Sequence, residues 1–317
     1  MELGSFDFLK QQDLPAGALY MVATPIGNLG DITLRALHVL NAVDGIACED
    51  TRHSAALLQQ FGIHKKCLAL HEHNEISGAQ TVIQHLTNGE RWAYISDAGT
   101  PGVSDPGARL VSEVQKAGLR VIPIPGASAV SGAISAAGSV MHGSEGRFQF
   151  LGFWPNKTKD RDTFLQDISS SKKASIFFES PHQIRDTLIT LSKELEPGRQ
   201  VLIGRELTKK FEQLVTLSAT DIPEWLEKAE SLKGVFIILI EVRQAGADEQ
   251  RCIAELRLRC RSEARRNVGE QIVGALGRQG RQQCGRGAAG ASSDLQHAQP
   301  APGRQVRYHL RDRLLHQ

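Results

Sequence analysis

The chain has 317 residues, 41% of them hydrophobic and 23% charged, which is enough to bury a substantial core and to divide into two domains. No apolar run approaches the roughly 20 residues that span a bilayer, and the opening MELGSFDFLKQQ has neither the basic start nor the apolar centre of a secretion signal, so a cytoplasmic protein without membrane contact is expected. The formal charge of +2 hides an asymmetry: residues 251–317 hold 13 Arg, no Lys and 5 acidic residues, leaving 24 basic against 30 acidic residues in the body, which therefore offers little continuous positive surface.

After a flexible start over residues 1–16, LYMVAT (19–24), DGIACE (44–49), KCLALH (66–71), RWAYIS (91–96) and RVIPI (120–124) read as short strands separated by amphipathic stretches of helical length. That rhythm predicts a mostly parallel sheet with right-handed connections, so that the strand carboxyl ends gather along one edge. A second series follows: FQFLGFW (148–154), KASIFFE (173–179), QVLIGREL (200–207) and KGVFIILIEV (233–242) read as strands, with helices expected over 159–170 and 182–195. The expected architecture is α/β, with one domain over 17–125, a second with a mixed sheet over 126–245, and a cleft between them. Residues 246–317 are rich in Arg, Gly and Gln, have no apolar period and are expected to be disordered. All 13 lysines lie in the body, and this abrupt change of usage favours a shift of reading frame near residue 251 over a natural arginine-rich RNA-binding arm. Cys48 and Cys67 are isolated and read as small buried hydrophobes, and His71 and His73 in HEHNE do not have the HExxH spacing, so no metal is expected.

The strand ends carry the unusual residues: TPIGNLGD, EDTRHS, SDAGTPGVSDPG and PGAS. Neither GxGxxG nor GxxxxGK[ST] is present, which argues against a dinucleotide fold or a triphosphate loop. Loops rich in glycine and poor in Lys and Arg suit a ligand that is approached by backbone groups and has no phosphates to neutralise, and S-adenosylmethionine is such a ligand. Pro25 and Gly27 are expected on the cleft floor, and Ser96, Asp97, Ala98, Gly99, Thr100 and Pro101 form the second candidate loop. Pro125, Gly126, Ala127 and Ser128 open a helix of small residues whose free N–H groups suit a carboxylate. Asp105, followed by Pro106, reads as a helix N-cap. In EDTRHS, Thr51 could cap the next helix and Arg52 pair with Glu49 or Asp50; alternatively the acids face the cleft and meet a ribose hydroxyl.

Seven motifs in order, ATPIGNLGDIT, ACEDTRHS, HEHNE, SDAGTPGVSDPG, IPGASA, FFESPHQI and GRELTKKFEQ, resemble the tetrapyrrole methylase family over residues 17–242, and more closely its rRNA-modifying branch. The resemblance implies a homodimeric methyltransferase that holds S-adenosylmethionine between two α/β domains, with Phe178 and Glu179 among the cofactor contacts. It also implies 2′-O-methylation of a cytidine ribose in the decoding region of small-subunit rRNA, within the assembled 30S subunit. Such a transfer is an in-line displacement that needs alignment and a proton acceptor, for which Glu49, Asp50 and then Glu206 are candidates. Arg52, His71, His73, Asn74, Arg205, Lys209 and Lys210 are candidate RNA contacts, with GFWPNKTKDR as a second patch carrying an aromatic for base stacking. The alternatives are a corrin or siroheme precursor C-methyltransferase of the same family and a non-enzymatic RNA-binding assembly protein. The arginine-rich tail departs from the family, which has a small helical segment there.

Overall fold

The structure, a computed structural model, describes residues 7–70 and 75–243. His71, His73 and Asn74, and the tail from residue 246, lie outside the described residues.

After a short helix α1 (Asp7–Lys10), the first half alternates β1 (Ala18–Val22), α2 (Leu34–Ala42), β2 (Gly45–Cys48), α3 (Thr51–Gln60), β3 (Cys67–Ala69), α4 (Glu75–Thr87), β4 (Trp92–Ile95), α5 (Ala108–Lys116) and β5 (Arg120–Ile124). The strands pair in the order β3-β2-β4-β1-β5 and every pairing is parallel. Both faces are covered, because alternate residues serve different cores. Tyr20, Val22, Ile46, Cys48 and Ile95 pack with Leu37, Leu40 and Leu58 of α2 and α3. Leu19, Ala47, Trp92 and Tyr94 pack with Val82, Leu86, Leu110 and Val114 of α4 and α5. Parallel strands buried on both sides lose the polar alternation of an exposed sheet, hence runs such as GIAC and WAYI. The chain leaves β1 toward β2 and leaves β4 toward β5 on the opposite face, so the crevice between the carboxyl ends of these adjacent strands is the topological switch point, where ligands bind in open α/β sheets.

The second half begins with α6 (Ala129–Ala136) and α7 (Gly138–His142) and continues as β6 (Phe148–Phe153), α8 (Thr158–Ser170), β7 (Ala174–Glu179), α9 (Ile184–Glu194), β8 (Gln200–Arg205), β9 (Gln213–Ser218), α10 (Ile222–Lys228) and β10 (Phe236–Ile240). Its sheet runs β6-β7-β10-β8-β9 and is mixed: β6 and β7 are parallel, and the other pairs are antiparallel. The last strand sits in the middle, which explains its unbroken FIILI. Phe236, Ile238 and Ile240 face the core of α8 to α10, whereas Ile237 and Leu239 face α6 and α7. Sequence periodicity missed β9 and α10; β9 is an edge strand with alternating exposure, and its polar positions resemble a loop.

Of the two aromatics in GFWPNKTKDR, Trp154 is only 4% exposed and packs against Phe164 and Phe177 at ring-centroid distances of 5.1 and 5.3 Å, so it is core, whereas Phe153 is 53% exposed. Arg161 in the same patch is turned inward, donating to the Pro155 carbonyl at 2.7 Å.

Arg199 closes the second core. It is 5% exposed, and its guanidinium donates to the carbonyls of Glu241 and Ile168, each at 2.9 Å, and to the Glu196 carboxylate at 3.1 Å. It thereby ties the end of β10 to α8. Arg199→Met keeps the volume but leaves those carbonyls without donors, and is expected to cost about 3 kcal/mol. The test is urea unfolding, in which the midpoint should fall with the slope unchanged.

Candidate active site at the sheet switch point

The loops after β1 and β4 are stitched together across the switch point. Thr24 and Gly99 exchange backbone hydrogen bonds of 2.9 and 3.0 Å as an isolated antiparallel bridge, and the Thr24 hydroxyl donates to the Ser96 carbonyl at 3.4 Å. The Thr100 hydroxyl donates to the Ala127 carbonyl at 3.0 Å, adding the loop after β5. Three strand-end loops thus form one rigid floor. Gly99 is its pivot: its φ of +79° lies in the left-handed region, and a Cβ there would come within 3.2 Å of Ile26 Cγ2.

Over this floor lies a cavity of about 230 Å³. Ala98, Gly99, Thr100, Ser128 and Ala129 line one side, and Phe178, Val235 and Ile237 the other. Ser128 is the residue preceding the first turn of α6 and makes no side-chain cap, so the helix start faces the cavity with N–H groups to offer. Phe153, 53% exposed, packs on Phe178 at 5.4 Å and completes the apolar wall. This residue was not singled out in the sequence, nor were Val235 and Ile237; the signal for them was the start of the KGVFIILI run beside a glycine.

Pro25, Gly27 and Asp97 line a second pocket of about 420 Å³ on the outer side, which shares Ile26, Ala98 and Lys209 with the first. Ser96, Pro101, Pro125, Gly126 and Ala127 line neither cavity. Ser96 and Ala127 instead supply the carbonyls that fasten the floor, and a Cβ on Gly126 would press within 2.9 Å of Ala23 Cβ. Glu179 is 2% exposed, and its carboxylate accepts from the Ser180 N–H at 2.6 Å and the Thr187 hydroxyl at 2.5 Å. Its lone pairs are used to seat α9, so it serves the fold where a cofactor contact was expected.

The three proton-acceptor candidates separate. Asp50 is the N-cap of α3, accepting from the Arg52 N–H at 2.8 Å, and its ion pair with the Arg52 guanidinium at 3.2 Å holds its pKa below the usual carboxylate range. Glu206 has φ +49° and accepts from the Val235 N–H at 3.0 Å and from Lys209 Nζ at 2.9 Å. Although burial opposes it, these partners hold its pKa low as well. Glu49 differs: burial, then repulsion from Asp97, Asp105 and Asp50, pushes its pKa up. Glu49 follows β2 directly and lines neither cavity, but as an acid that ionises reluctantly it is the one of the three best suited to accept a proton.

Asp105 is a correction. The helix begins at Ala108 with Gly107 in the cap position, and Asp105 lies in the inner cavity wall. Burial pushes its pKa up, and Asp97 adds to the effect while Ser96 opposes it. A raised carboxylate pKa means that the ionised form weakens the folded state above that pKa, and that this penalty disappears as pH falls below the ordinary aspartate value. Asp105→Asn is therefore expected to raise the thermal midpoint at pH 7.5 and to leave it unchanged near pH 3. Calorimetric scans at both values check the sign.

Among the candidate RNA contacts, Arg52 is exposed and paired with Asp50, and Arg205 donates to the Lys233 carbonyl at 2.6 Å and the Ser231 hydroxyl at 3.2 Å. Lys209 crosses the cleft: its stem lies where a Gly27 side chain would stand, since a Cβ there would meet its Cγ at 2.4 Å. Lys210 sits 5.5 Å above the ring of Phe211, itself 64% exposed. Among the described residues no cluster of His, Cys, Asp or Glu could hold a metal ion, and no helix is long and apolar enough to cross a membrane.

The family model of the tetrapyrrole (corrin/porphyrin) methylases matches residues 18–223. The ribosomal RNA small subunit methyltransferase I of Pasteurella multocida (strain Pm70) is 46% identical over 226 residues, covering 71% of this chain and 79% of the relative. That of Escherichia coli O157:H7 is 43% identical over 241 residues, covering 76% and 83%. The crystal structure of the methyltransferase CobJ matches with a TM-score of 0.54 at 20% identity, covering 73% of this chain and 98% of that one, which shows a shared fold. The chain belongs to the tetrapyrrole (corrin/porphyrin) methylases, in the branch of the ribosomal RNA small subunit methyltransferase I proteins.

Proposed function

We propose that the protein is an S-adenosylmethionine-dependent methyltransferase that modifies the 2′-hydroxyl of a cytidine ribose in the decoding region of small-subunit rRNA. The observation that carries this reading is the pair of adjoining cavities at the switch point, together with relatives of 46% and 43% identity named for this RNA. The lining of the inner cavity suits the cofactor: most of it is apolar, its one ammonium is paired with Glu206, and the start of α6 at Ser128 has no side-chain cap. When bound there, the cofactor supplies a methyl group activated by its sulfonium. Gly99, Thr100, Ala98, Ser128 and Phe178 would hold it, Asp105 would face its positive charge, and Glu49 would take the proton of the attacking hydroxyl.

We further propose domain limits at 17–125 and 126–245, a cytoplasmic homodimer, and the assembled 30S subunit as the substrate. The mildly acidic body supports the dimer, since two copies present a broader contact to a large RNA. Transfer of labelled methyl groups to small subunits, to free rRNA and to a porphyrinoid precursor distinguishes the substrates; transfer only to the porphyrinoid would overturn the reading. Truncation after Glu249 is expected to leave cofactor binding and methylation intact, as a frame-shifted tail would require. Loss of modification with cofactor binding preserved would make the tail a functional arm.

A further inference from the structure

We infer that the outer pocket is the binding site for a single unstacked ribonucleotide, the acceptor, and that the exposed face of α3 recognises it; this rests on the function proposed above. His53, Ala56, Leu57 and Gln60 follow the i, i+3, i+4, i+7 spacing, so they share one face of the helix, and all four line the pocket. The core-facing residues Ser54 and Leu58 lie between them. No hydrogen bond within the described residues engages the side chains of His53 or Gln60, whereas Thr100, Glu206 and Lys209 of the inner cavity are already paired.

The chemistry of the lining matches a nucleoside. Leu29, 44% exposed, and Leu57 give an apolar platform for a base, and the Gln60 amide can both donate and accept, as a base edge requires. Asp97, whose carboxylate accepts from the Asp50 N–H at 3.3 Å, lines the same pocket and has acceptor capacity left for a sugar hydroxyl. The volume of about 420 Å³ lies within the range of small-molecule sites. Position decides the rest. Only Ile26, Ala98 and Lys209 are common to both cavities, so a ribose against that wall is next to the inner cavity. Lys209, held by Glu206 and seated over Gly27, acts as a positioning residue that sets the wall between the two cavities.

The test is to fill the pocket from its exposed side. In Ala56→Trp, methyl transfer to 30S subunits is expected to fall about 100-fold or more, with cofactor affinity by calorimetry within about twofold of the parent. In Gln60→Ala, KM for the subunits should rise about 10-fold with kcat nearly unchanged, as for one lost recognition contact. Ala56→Trp with normal kcat/KM would overturn the inference, as would a loss of cofactor binding in proportion to the loss of transfer. If Ala56→Trp does not fold, Gln60→Ala decides: an unchanged KM overturns the site. Failure of the unsubstituted protein to methylate any small-subunit RNA would overturn the proposed function itself, and the inference with it, which is distinguishable from the case in which only the variants behave unexpectedly.

Discussion

Replacing Glu49 with glutamine is expected to lower kcat by about 100-fold to 1,000-fold while cofactor affinity stays within about twofold. The side chain follows β2, which lies beside β4 at the switch point, and glutamine preserves its shape while removing its capacity to take a proton. The pH dependence gives an independent reading. A proton acceptor works when ionised, and the Glu49 pKa is raised by burial and by Asp97, Asp105 and Asp50. Activity of the parent should therefore fall on the acid side at a pH above the ordinary carboxylate range, and that limb should disappear in Glu49→Gln. Asp50→Asn and Glu206→Gln are expected to behave differently, since both carboxylates are held ionised by partners. The first should weaken the start of α3, and the second should release Lys209 and raise KM. Retention of more than half the activity and of the same acid limb in Glu49→Gln would remove it from the mechanism.

What the sequence could and could not reveal follows from the range of the interactions. Strands buried on both faces write continuous apolar runs, so β1, β2 and β4 were legible within a residue or two; the less buried β3 and β5 were legible to the same degree, and β10 was expected three residues before its start at Phe236. The strand-end loops were legible too, because Gly, Pro and Asp at the end of an apolar run leave few other structures open. The division of those loops between two cavities was not legible. Pro25 and Gly27 face outward with Asp97, and this depends on Lys209 reaching across from the loop after β8. The roles of the acids were hidden for the same reason. Asp105 has the local form of a helix cap, and only the left-handed conformations of Ser104 and Gly107 turn it into the cavity and delay the helix to Ala108. Glu179 lies in a motif that resembles a binding sequence, yet its partner Thr187 is in the first turn of α9, eight residues further on. Backbone strain collects around the same place: Glu206 and Thr208 both have positive φ without being glycine, which fixes the loop that carries Lys209 at a cost of about 1–3 kcal/mol each.

Gly99→Val is expected to reduce affinity for S-adenosylmethionine by about 100-fold or more and to lower the thermal midpoint. Two effects combine. At φ +79° a β-branched residue is strained wherever its side chain points, and the new Cβ would come within 3.2 Å of Ile26, one of the three residues common to both cavities. Relief would come by moving the loop, and with it the Thr24 bridge and the Thr100 hydrogen bond to Ala127 that form the cavity floor. A change of stability alone would produce weak binding by a trivial route, so a matched control is needed. Gly102 provides it, with φ +83° and no atom within 4 Å of its would-be Cβ, and it lines neither cavity. Gly102→Val therefore carries a similar backbone strain without touching the floor, and should lower the thermal midpoint by a comparable amount while leaving cofactor affinity near that of the parent. Calorimetric titration of both variants below their melting temperatures separates strain from site. Equal affinity in the two variants would mean that the loop after β4 is structural and that the cofactor binds elsewhere.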